Sequence, residues 1–316
     1  MNTSSGSSLQ RIGPPNSRAR VIAASGLFLV LSLTLGSVLA VLAARFFPDL
    51  PDGKLVKVAR RCMMGAAGVF LPFFLRAIGF RGLADCGWGA VRGTRFRTFA
   101  AGMAVGMAVL LPLAVLSTLL GTRPWEVAMP VAALPGILLG YLASSLFVGV
   151  TEETMARGLL FLPLRRSLGG VAAALASGAL FAWAHFMVPD AQALRNPSAS
   201  IAVRDTLFSA LTHVAGEPHA AARFANLVLM SCVLCAATAR TGTIWLAAGL
   251  HAGWVWIKKS NAILTQSNYE HPLQSWLGAR SDFLDGWGCT LALAALLVAL
   301  RPAPNATPSI HPETHQ

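Results

Sequence analysis

Two glutamates, two histidines and a nearby arginine stand inside stretches of the sequence that are otherwise apolar. They are Glu152, Glu153, Arg157, His185 and His251. The remaining acidic residues and the other five histidines fall in polar segments or tails. An ionisable group in hydrocarbon costs several kcal/mol by most scales, so it needs a partner and usually has a function. We therefore treat these five residues as the candidate chemistry of the chain.

Helical spacing supplies partners within this group. Glu153 and Arg157 are four residues apart with the acid first, which is the favourable order for an ion pair along one helix face. Glu152 is rotated by about 100° from Glu153, so it can face a different neighbour. Phe181 precedes His185 by four residues, which places an aromatic ring one turn below the imidazole.

Depth gives a second test of whether these residues meet. Two short links, at residues 165–170 and 240–242, should lie on one membrane face because two helices separate them. Counted from that face at about 1.5 Å per residue, Glu152 is about 15 Å deep, His185 about 22 Å and His251 about 12 Å. The hydrocarbon core is about 30 Å thick. The three side chains are therefore predicted to converge near its middle.

Two imidazoles and a carboxylate suit two kinds of chemistry. One is a His/His/Glu metal site that binds zinc and activates water. The other is metal-free, with the carboxylate as general base on a water that a histidine orients. The H-E-x-x-H signature is absent, and no Ser or Cys nucleophile is placed beside either histidine, so water is the expected attacker. Cys232 and Cys235 form a C-x-x-C in an apolar run without a second pair, which favours simple packing.

Each residue also has an explanation without catalysis. Glu153 and Arg157 can be a buried structural ion pair. His185 can bond to backbone between helices, and His251 can lie near a helix end close to water. A proton or substrate pathway in a transporter also places Glu and His at mid-depth, although no inverted internal repeat is visible.

Composition defines the elements that must position these residues. The chain has 316 residues, of which 55% are hydrophobic and 12% charged, against about 25% charged in a soluble domain. This excludes a single soluble globule and predicts an all-α polytopic membrane protein, a bundle of about eight transmembrane helices. The net charge of +12 comes from short basic clusters between apolar runs, which indicates contact with an anionic lipid bilayer and no nucleic acid.

Eight apolar runs define the predicted spans, and the second and seventh are the weakest. They are residues 21–44, 62–80, 99–120, 129–162, 170–188, 222–239, 243–257 and 287–300. The predicted organisation is a disordered basic tail (1–20), three helices with an interfacial basic stretch (21–130), a core of helices 4–7 that holds the candidate residues (131–260), a polar loop with the last helix (261–300) and a disordered tail (301–316).

Two further features concern packing and orientation. The G-x-x-x-G pairs Gly102/Gly106 and Gly136/Gly140 predict close helix approach. The links 165–170 and 240–242 carry positive charge without acid, which favours placing them and both termini in the cytoplasm. Frequent Ala, Arg and Gly hint at a bacterial source, and so at the inner membrane.

The motifs around the buried residues resemble those of a known family. Residues 152–157, EETMAR, match the E-E-x-x-x-R motif of the CPBP (CAAX protease and bacteriocin-processing, or Abi) intramembrane endopeptidases. Residues 181–185, FAWAH, match their F-x-x-x-H motif, and residues 249–254, GLHAGW, resemble their third, histidine-bearing motif. The resemblance covers roughly 135–259. It implies a bundle of about eight membrane helices that hydrolyses peptide bonds with water.

The resemblance also implies roles for individual residues. Glu152 would be the general base, His185 would help hold the attacking water, and His251 would contribute to the oxyanion site. Glu153 and Arg157 would support the geometry, with Phe181 beside them. Family members are described both as metalloproteases and as metal-free glutamate enzymes, so a divalent metal such as zinc, if bound, would be held by Glu152, His185 and His251. The substrate would be a membrane-associated protein or peptide.

One position departs from the family pattern. The third motif usually has Asn or Asp four residues after its histidine, but this chain has Val255. An amide there would stabilise the oxyanion, and losing such a donor typically costs about 10²–10³ in rate. The departure keeps an alternative open, in which the chain is a non-catalytic scaffold, immunity factor or chaperone.

Overall fold

The computed structural model describes residues 18–89, 92–127, 129–187, 191–195, 204–205, 208 and 219–301. Within these ranges the chain is helical and contains no β-strand beyond one isolated bridge between Trp125 and Thr265. Most of the two predicted tails, and most of the polar loop after the fifth span, lie outside the described residues.

In the described chain, eight helical segments run from one face of the bundle to the other, and we call them crossings. The helices are α1 (Arg18–Phe46), α2 (Asp52–Ala77), α3 (Arg92–Leu119), α4 (Leu134–Glu153), α5 (Leu162–Leu168), α6 (Gly170–Phe186), α7 (Ala191–Arg195), α8 (Ala220–Thr241), α9 (Trp245–Leu264), α10 (Gln274–Leu277) and α11 (Trp287–Ala299). A π-helix, Thr154–Phe161, joins α4 to α5, and α7 and α10 are short surface helices. Five crossings are long and apolar enough to span a membrane, and α6 and α11 are shorter apolar helices. The predicted all-α polytopic bundle is confirmed.

The second span begins earlier than predicted. Helix α2 begins at Asp52, so the predicted polar link before residue 62 shrinks to a few residues. Leu55 and Ala59 are buried against α1, while charged neighbours such as Lys57 and Arg60 are exposed. The first half of α2 is amphipathic. Its charged residues hide it from a search for apolar runs, although its apolar face is buried in the bundle.

The fourth predicted span, residues 129–162, is one helical span of 38 residues, Val131–Leu168, whose helix type changes along its length. It opens with a 3₁₀ turn, follows α4 to Glu153, continues as the π-helix and ends in α5 at Leu168. The predicted link at 165–170 is reduced to Gly169, which has a left-handed φ of 83°. A glycine adopts that conformation without the steric cost of a side chain.

Contacts between links fix the two faces of the bundle. Ile244, before α9, donates its backbone N–H to Gly87 O at 3.0 Å, which joins two links on one face. Arg240 donates to Ala299 O at 2.9 Å on that same face, and Val21 of α1 packs against Leu164 there. Both described ends of the chain therefore lie on this face. The loops before α4 and after α9 lie on the other face.

Helix α9 occupies the centre and packs most extensively against α3. A Cβ added to Gly106 of α3 would lie 2.4 Å from Leu250 O, and one added to Gly249 of α9 would lie 2.0 Å from Phe99 O. A Cβ added to Gly102 would likewise lie only 2.3 Å from Leu246 O. Bare backbone is thus required on both helices, and the packing role predicted for Gly102 and Gly106 is confirmed.

The second glycine pair behaves differently. No described atom lies within 4 Å of a Cβ added to Gly136 or Gly140, and both residues are exposed. The predicted close approach at this pair is wrong within the described chain. The same spacing has opposite outcomes because α3 faces a neighbouring helix along its glycine row and α4 does not.

Candidate active site

Glu152, His185 and His251 line one cavity of about 210 Å³ inside the bundle. They arrive from three helices, α4, α6 and α9. The Glu152 side chain is 45% exposed, whereas that of His251 is 5% exposed. The structure therefore brings together the three side chains that the sequence predicted to converge. Val255 lines the same cavity.

Glu153 lies behind this cavity in a buried, charged network. Arg157 Nη1 donates to Glu153 Oε1 at 3.0 Å, and both side chains are fully buried. His251 Nδ1 lies 2.7 Å from the same oxygen. Because a carboxylate only accepts, His251 Nδ1 carries the proton and donates a hydrogen bond to Glu153 Oε1. We call Glu153, Arg157 and His251 the buried charge network.

The local helix geometry explains why two adjacent glutamates have different surroundings. Consecutive helical residues are rotated by about 100°, so Glu153 faces the helix interface while Glu152 faces the cavity. Arg157 lies in the π-helix, yet its side chain still reaches back one turn to Glu153. Such π-helical segments often mark functional sites. The periodicity of apolar residues in the sequence does not by itself predict this π-helix.

Arg157 has further partners that hold it in place. Its Nη2 donates to Ser231 Oγ at 2.9 Å and more weakly to Ser231 O at 3.4 Å. The guanidinium also lies over the Phe181 ring, 5.1 Å from the centroid. Sequence reasoning missed Ser231, because a lone serine in an apolar helix has no distinguishing spacing.

His185 is oriented by its own helix. Its Nδ1 donates to Phe181 O at 2.9 Å, which leaves Nε2 as the acceptor of a neutral imidazole. The Phe181 ring lies 4.3 Å from the His185 ring and 6.3 Å from the His251 ring, centroid to centroid. Phe181 therefore contacts both imidazoles, and the bond to backbone leaves one His185 nitrogen available to a ligand.

The carboxylate and the imidazole of α9 do not bond directly. Glu152 Oε2 lies 3.8 Å from His251 Nε2, beyond hydrogen-bond distance. Across the residues that the structure describes, no three or more His, Cys, Asp or Glu side chains lie close enough to hold a metal ion. As placed, Glu152, His185 and His251 do not fit a three-ligand zinc site, whose bonds are about 2.0–2.2 Å long.

The cavity also has cationic lining residues. Arg223, Lys258 and Lys259 line it together with Asp282. Lys258 Nζ lies 3.3 Å from Asp282 Oδ2, and Lys259 Nζ donates to Ser144 Oγ. The sequence prediction missed these residues because the lysines follow the predicted end of the seventh span at 257. In the structure α9 continues to Leu264, which brings both lysines to the cavity.

A second, polar cavity of about 440 Å³ adjoins the first and shares Lys258 and Asp282 with it. Arg123 and Arg280 also line it. Burial acts to raise the pKa of Asp282, but the positive charges of Lys258, Arg280 and Arg223 and a backbone bond from Leu284 outweigh it, so the pKa is lowered. Asp282 is therefore a carboxylate at neutral pH. We call this second cavity the polar vestibule.

The comparison with protein families agrees with the site. Residues 134–257 match the family model described as type II CAAX prenyl endopeptidase Rce1-like. This segment runs from the start of α4 into α9 and includes all the site residues predicted from the sequence. The resemblance to CAAX-type proteases is confirmed over that segment. No curated protein and no solved structure gives a significant match to the chain.

Proposed function

Because residues 134–257 form an Rce1-like domain within a bundle of membrane helices, we propose that the chain is an intramembrane endopeptidase. It hydrolyses a peptide bond of a membrane-associated protein or peptide with an activated water. One observation supports this most strongly: Glu152 and the two histidines line the same cavity, with the Nδ1 atom of each imidazole already bonded elsewhere. These bonds fix the orientation of each imidazole ring, so Nε2 is the ring nitrogen that takes part in the reaction.

The first step is activation of water. His185 Nε2 accepts a hydrogen bond from the attacking water, since its Nδ1–H is held by Phe181 O. Glu152 removes the other proton as general base, a role that contributes about 10²–10⁴ in rate. The water oxygen forms a bond to the carbonyl carbon, and the carbonyl electron pair moves onto its oxygen.

The second step needs a donor to that oxyanion and a proton for the leaving amine. With Nδ1–H bonded to Glu153, His251 donates from Nε2 when it is an imidazolium. At this stage Glu152 carries the proton taken from water, so the oxyanion and the Glu153 carboxylate balance Arg157 and the imidazolium, which suits a buried group of charges. The C–N bond then breaks, and Glu152 passes its proton to the nitrogen. No step is routed through a metal.

The test compares cells that express different variants of the chain. Glu152→Gln keeps the shape of the side chain but removes the base, and His185→Ala removes the water acceptor. Glu270→Gln, on an exposed loop, is the matched control. New protein termini are mapped by mass spectrometry in membrane fractions. We expect new termini in cells that express the wild type or Glu270→Gln. The same termini should be absent in cells that express either site variant. Identical termini in Glu152→Gln would overturn the proposal.

A second candidate is the non-catalytic scaffold, and Val255 is the observation that favours it. This valine lines the cavity where the family usually has an amide or acid. A scaffold keeps its cellular effect without hydrolysis. If Glu152→Gln and His185→Ala still restored the phenotype of a deletion strain, the scaffold would be favoured over the protease.

We also propose a bacterial inner membrane as the location, with both termini in the cytoplasm. The basic links near Gly169 and Gly242 lie on the face that holds both described ends, in keeping with the positive-inside rule. Reporter enzymes fused to each terminus test this orientation. Cytoplasmic activity at both ends is expected, and periplasmic activity at either end contradicts it.

A further inference from the structure

The oxyanion site described above has one donor where hydrolysis of an amide profits from two. Preorganised donors around a developing oxyanion often act in pairs, and losing one typically costs about 10²–10³ in rate. His251 supplies one donor in the proposed mechanism, and Val255, one turn further along α9, has no polar atom in its side chain. A further donor has to come from elsewhere in the cavity.

Three cationic side chains line the described part of this cavity. Arg223 lies over the Phe186 ring, 4.8 Å from its centroid, and so is held against α6. Lys259 donates to Ser144 of α4. Lys258 contacts a loop residue, Asp282, at 3.3 Å, and its side chain is 47% exposed. Among the three, Lys258 is bonded to neither α4 nor α6.

The register of α9 places Lys258 in line with the site. It follows His251 by seven residues, which is two helical turns, and Val255 by three, which is almost one. The Cα–Cβ bonds of a helix tilt toward its N-terminus, so the Lys258 stem leans toward Val255 and His251. The rise from Val255 to Lys258 is about 4.5 Å. A flexible four-carbon stem covers that distance.

We propose, resting on the endopeptidase function above, that the Lys258 ammonium donates the second hydrogen bond to the oxyanion. It thereby replaces the side-chain donor that position 255 lacks. The ammonium keeps its proton throughout, and its positive charge strengthens the bond to a developing negative oxygen. Lys258 is thus a catalytic residue of this chain, while Asp282 is a positioning residue that anchors the ammonium between the cavity and the polar vestibule.

The experiment uses full-length protein in liposomes and a peptide that spans a cleavage site found by the terminus mapping. Lys258→Met keeps the stem and removes the charge. We expect kcat to fall about 10²–10³-fold with little change in KM. Lys259→Met removes the neighbouring charge and should reduce kcat far less. Lys258→Arg should retain a measurable part of the activity.

A rescue variant separates catalysis from structure. Adding Val255→Asn to Lys258→Met places an amide donor one turn from His251 and should raise kcat at least tenfold. Since Asp282 is buried, the double variant Lys258→Met/Asp282→Asn serves if Lys258→Met does not fold. Wild-type kcat in Lys258→Met, or in Lys258→Met/Asp282→Asn where the single variant does not fold, overturns the inference.

The inference and the proposed function fail in different ways. If Glu152→Gln abolishes cleavage while Lys258→Met does not, the endopeptidase stands and the role of Lys258 is wrong. If Glu152→Gln cleaves as the wild type does, the endopeptidase mechanism itself is wrong and the inference falls with it.

Discussion

Two charged groups border the same cavity, and they are built in different ways. The buried charge network of Glu153, Arg157 and His251 lies deep among the helices, with side chains 0–5% exposed. The ion pairs of Asp282 with Lys258 and Arg280 lie at the loop end of the cavity, where the cations are 47% and 36% exposed. The nitrogen–oxygen distances are 2.7–3.0 Å in the first group and 3.3–3.9 Å in the second.

The difference indicates a division of tasks. Breaking a buried pair leaves an uncompensated charge, so the deep network holds its geometry rigidly. On the loop side only the cations are exposed, so solvent partly screens these pairs, and the Lys258 ammonium can shift toward a substrate at low cost. The rigid buried charge network orients the His251 imidazole, and the more exposed Lys258 side chain contacts the substrate.

The largest effect should follow from removing the cation of the deep network. Arg157→Gln leaves the Glu153 carboxylate buried without its ion pair, and we expect a loss of about 3–5 kcal/mol in the free energy of unfolding. Denaturant-induced unfolding in detergent measures this loss. The double variant Arg157→Gln/Glu153→Gln should recover part of it. Unchanged stability in the single variant would show that the network is not rigid.

A smaller loss is expected at Arg123, a buried cation on the loop side of the bundle. Arg123 donates to Thr265, Ser267 and Ala279, all neutral acceptors, and so ties the loop before α4 to the loop after α9. Arg123→Gln should cost about 2–3 kcal/mol, the range for hydrogen bonds of a charged group. The same unfolding assay applies. A loss equal to that of Arg157→Gln would remove the contrast between the two regions.

The contribution of Asp282 should depend on pH. Its pKa is lowered in the folded protein, so the carboxylate stabilises the fold above its ordinary pKa of about 3.9. That contribution is lost as the pH falls through the lowered folded pKa. Unfolding of the wild type and Asp282→Asn at several pH values tests this. The stability gap should be present at pH 7 and shrink below about pH 4, whereas a constant gap would contradict the assignment.

The exposed partner of the same carboxylate should matter least for stability. Arg280 Nε lies 3.9 Å from Asp282 Oδ1 at a partly exposed position. Arg280→Gln should change the unfolding free energy by less than about 1 kcal/mol. Its effect should decline further in high salt. A loss of several kcal/mol would place this pair with the deep network.

Metal removal should leave the rate of cleavage unchanged. Within the described residues, no three His, Cys, Asp or Glu side chains are placed to share a metal ion, and the proposed mechanism routes no step through one. Cleavage is measured before and after dialysis against a strong chelator. Loss of activity that zinc restores would contradict the metal-free mechanism.

Much of the fold follows from local patterns. Apolar runs predict the crossings because a span needs about 20 apolar residues in a row. The i,i+4 spacings predict the Glu153–Arg157 pair and the Phe181–His185 contact, since helical neighbours are fixed by the helix itself. Both contacts are present in the structure.

The rest depends on contacts that no local pattern contains. The π-helix around Arg157 packs against segments distant in sequence, and one face of the charged start of α2 packs against α1. Ser231 and Asp282 reach the site from α8 and from the loop after α9, and their spacing carries no periodic signal. The two G-x-x-x-G pairs look alike in sequence, and the packing of the whole bundle decides which pair is buried.

The central claim is that Glu152 is the base that activates water for peptide hydrolysis. The most direct test is the cleavage rate of purified wild type and Glu152→Gln in liposomes with one substrate peptide, alongside unfolding of both proteins. The account predicts a rate lower by at least about 10² with unchanged unfolding. A Glu152→Gln protein that unfolds normally and cleaves at the wild-type rate would contradict it.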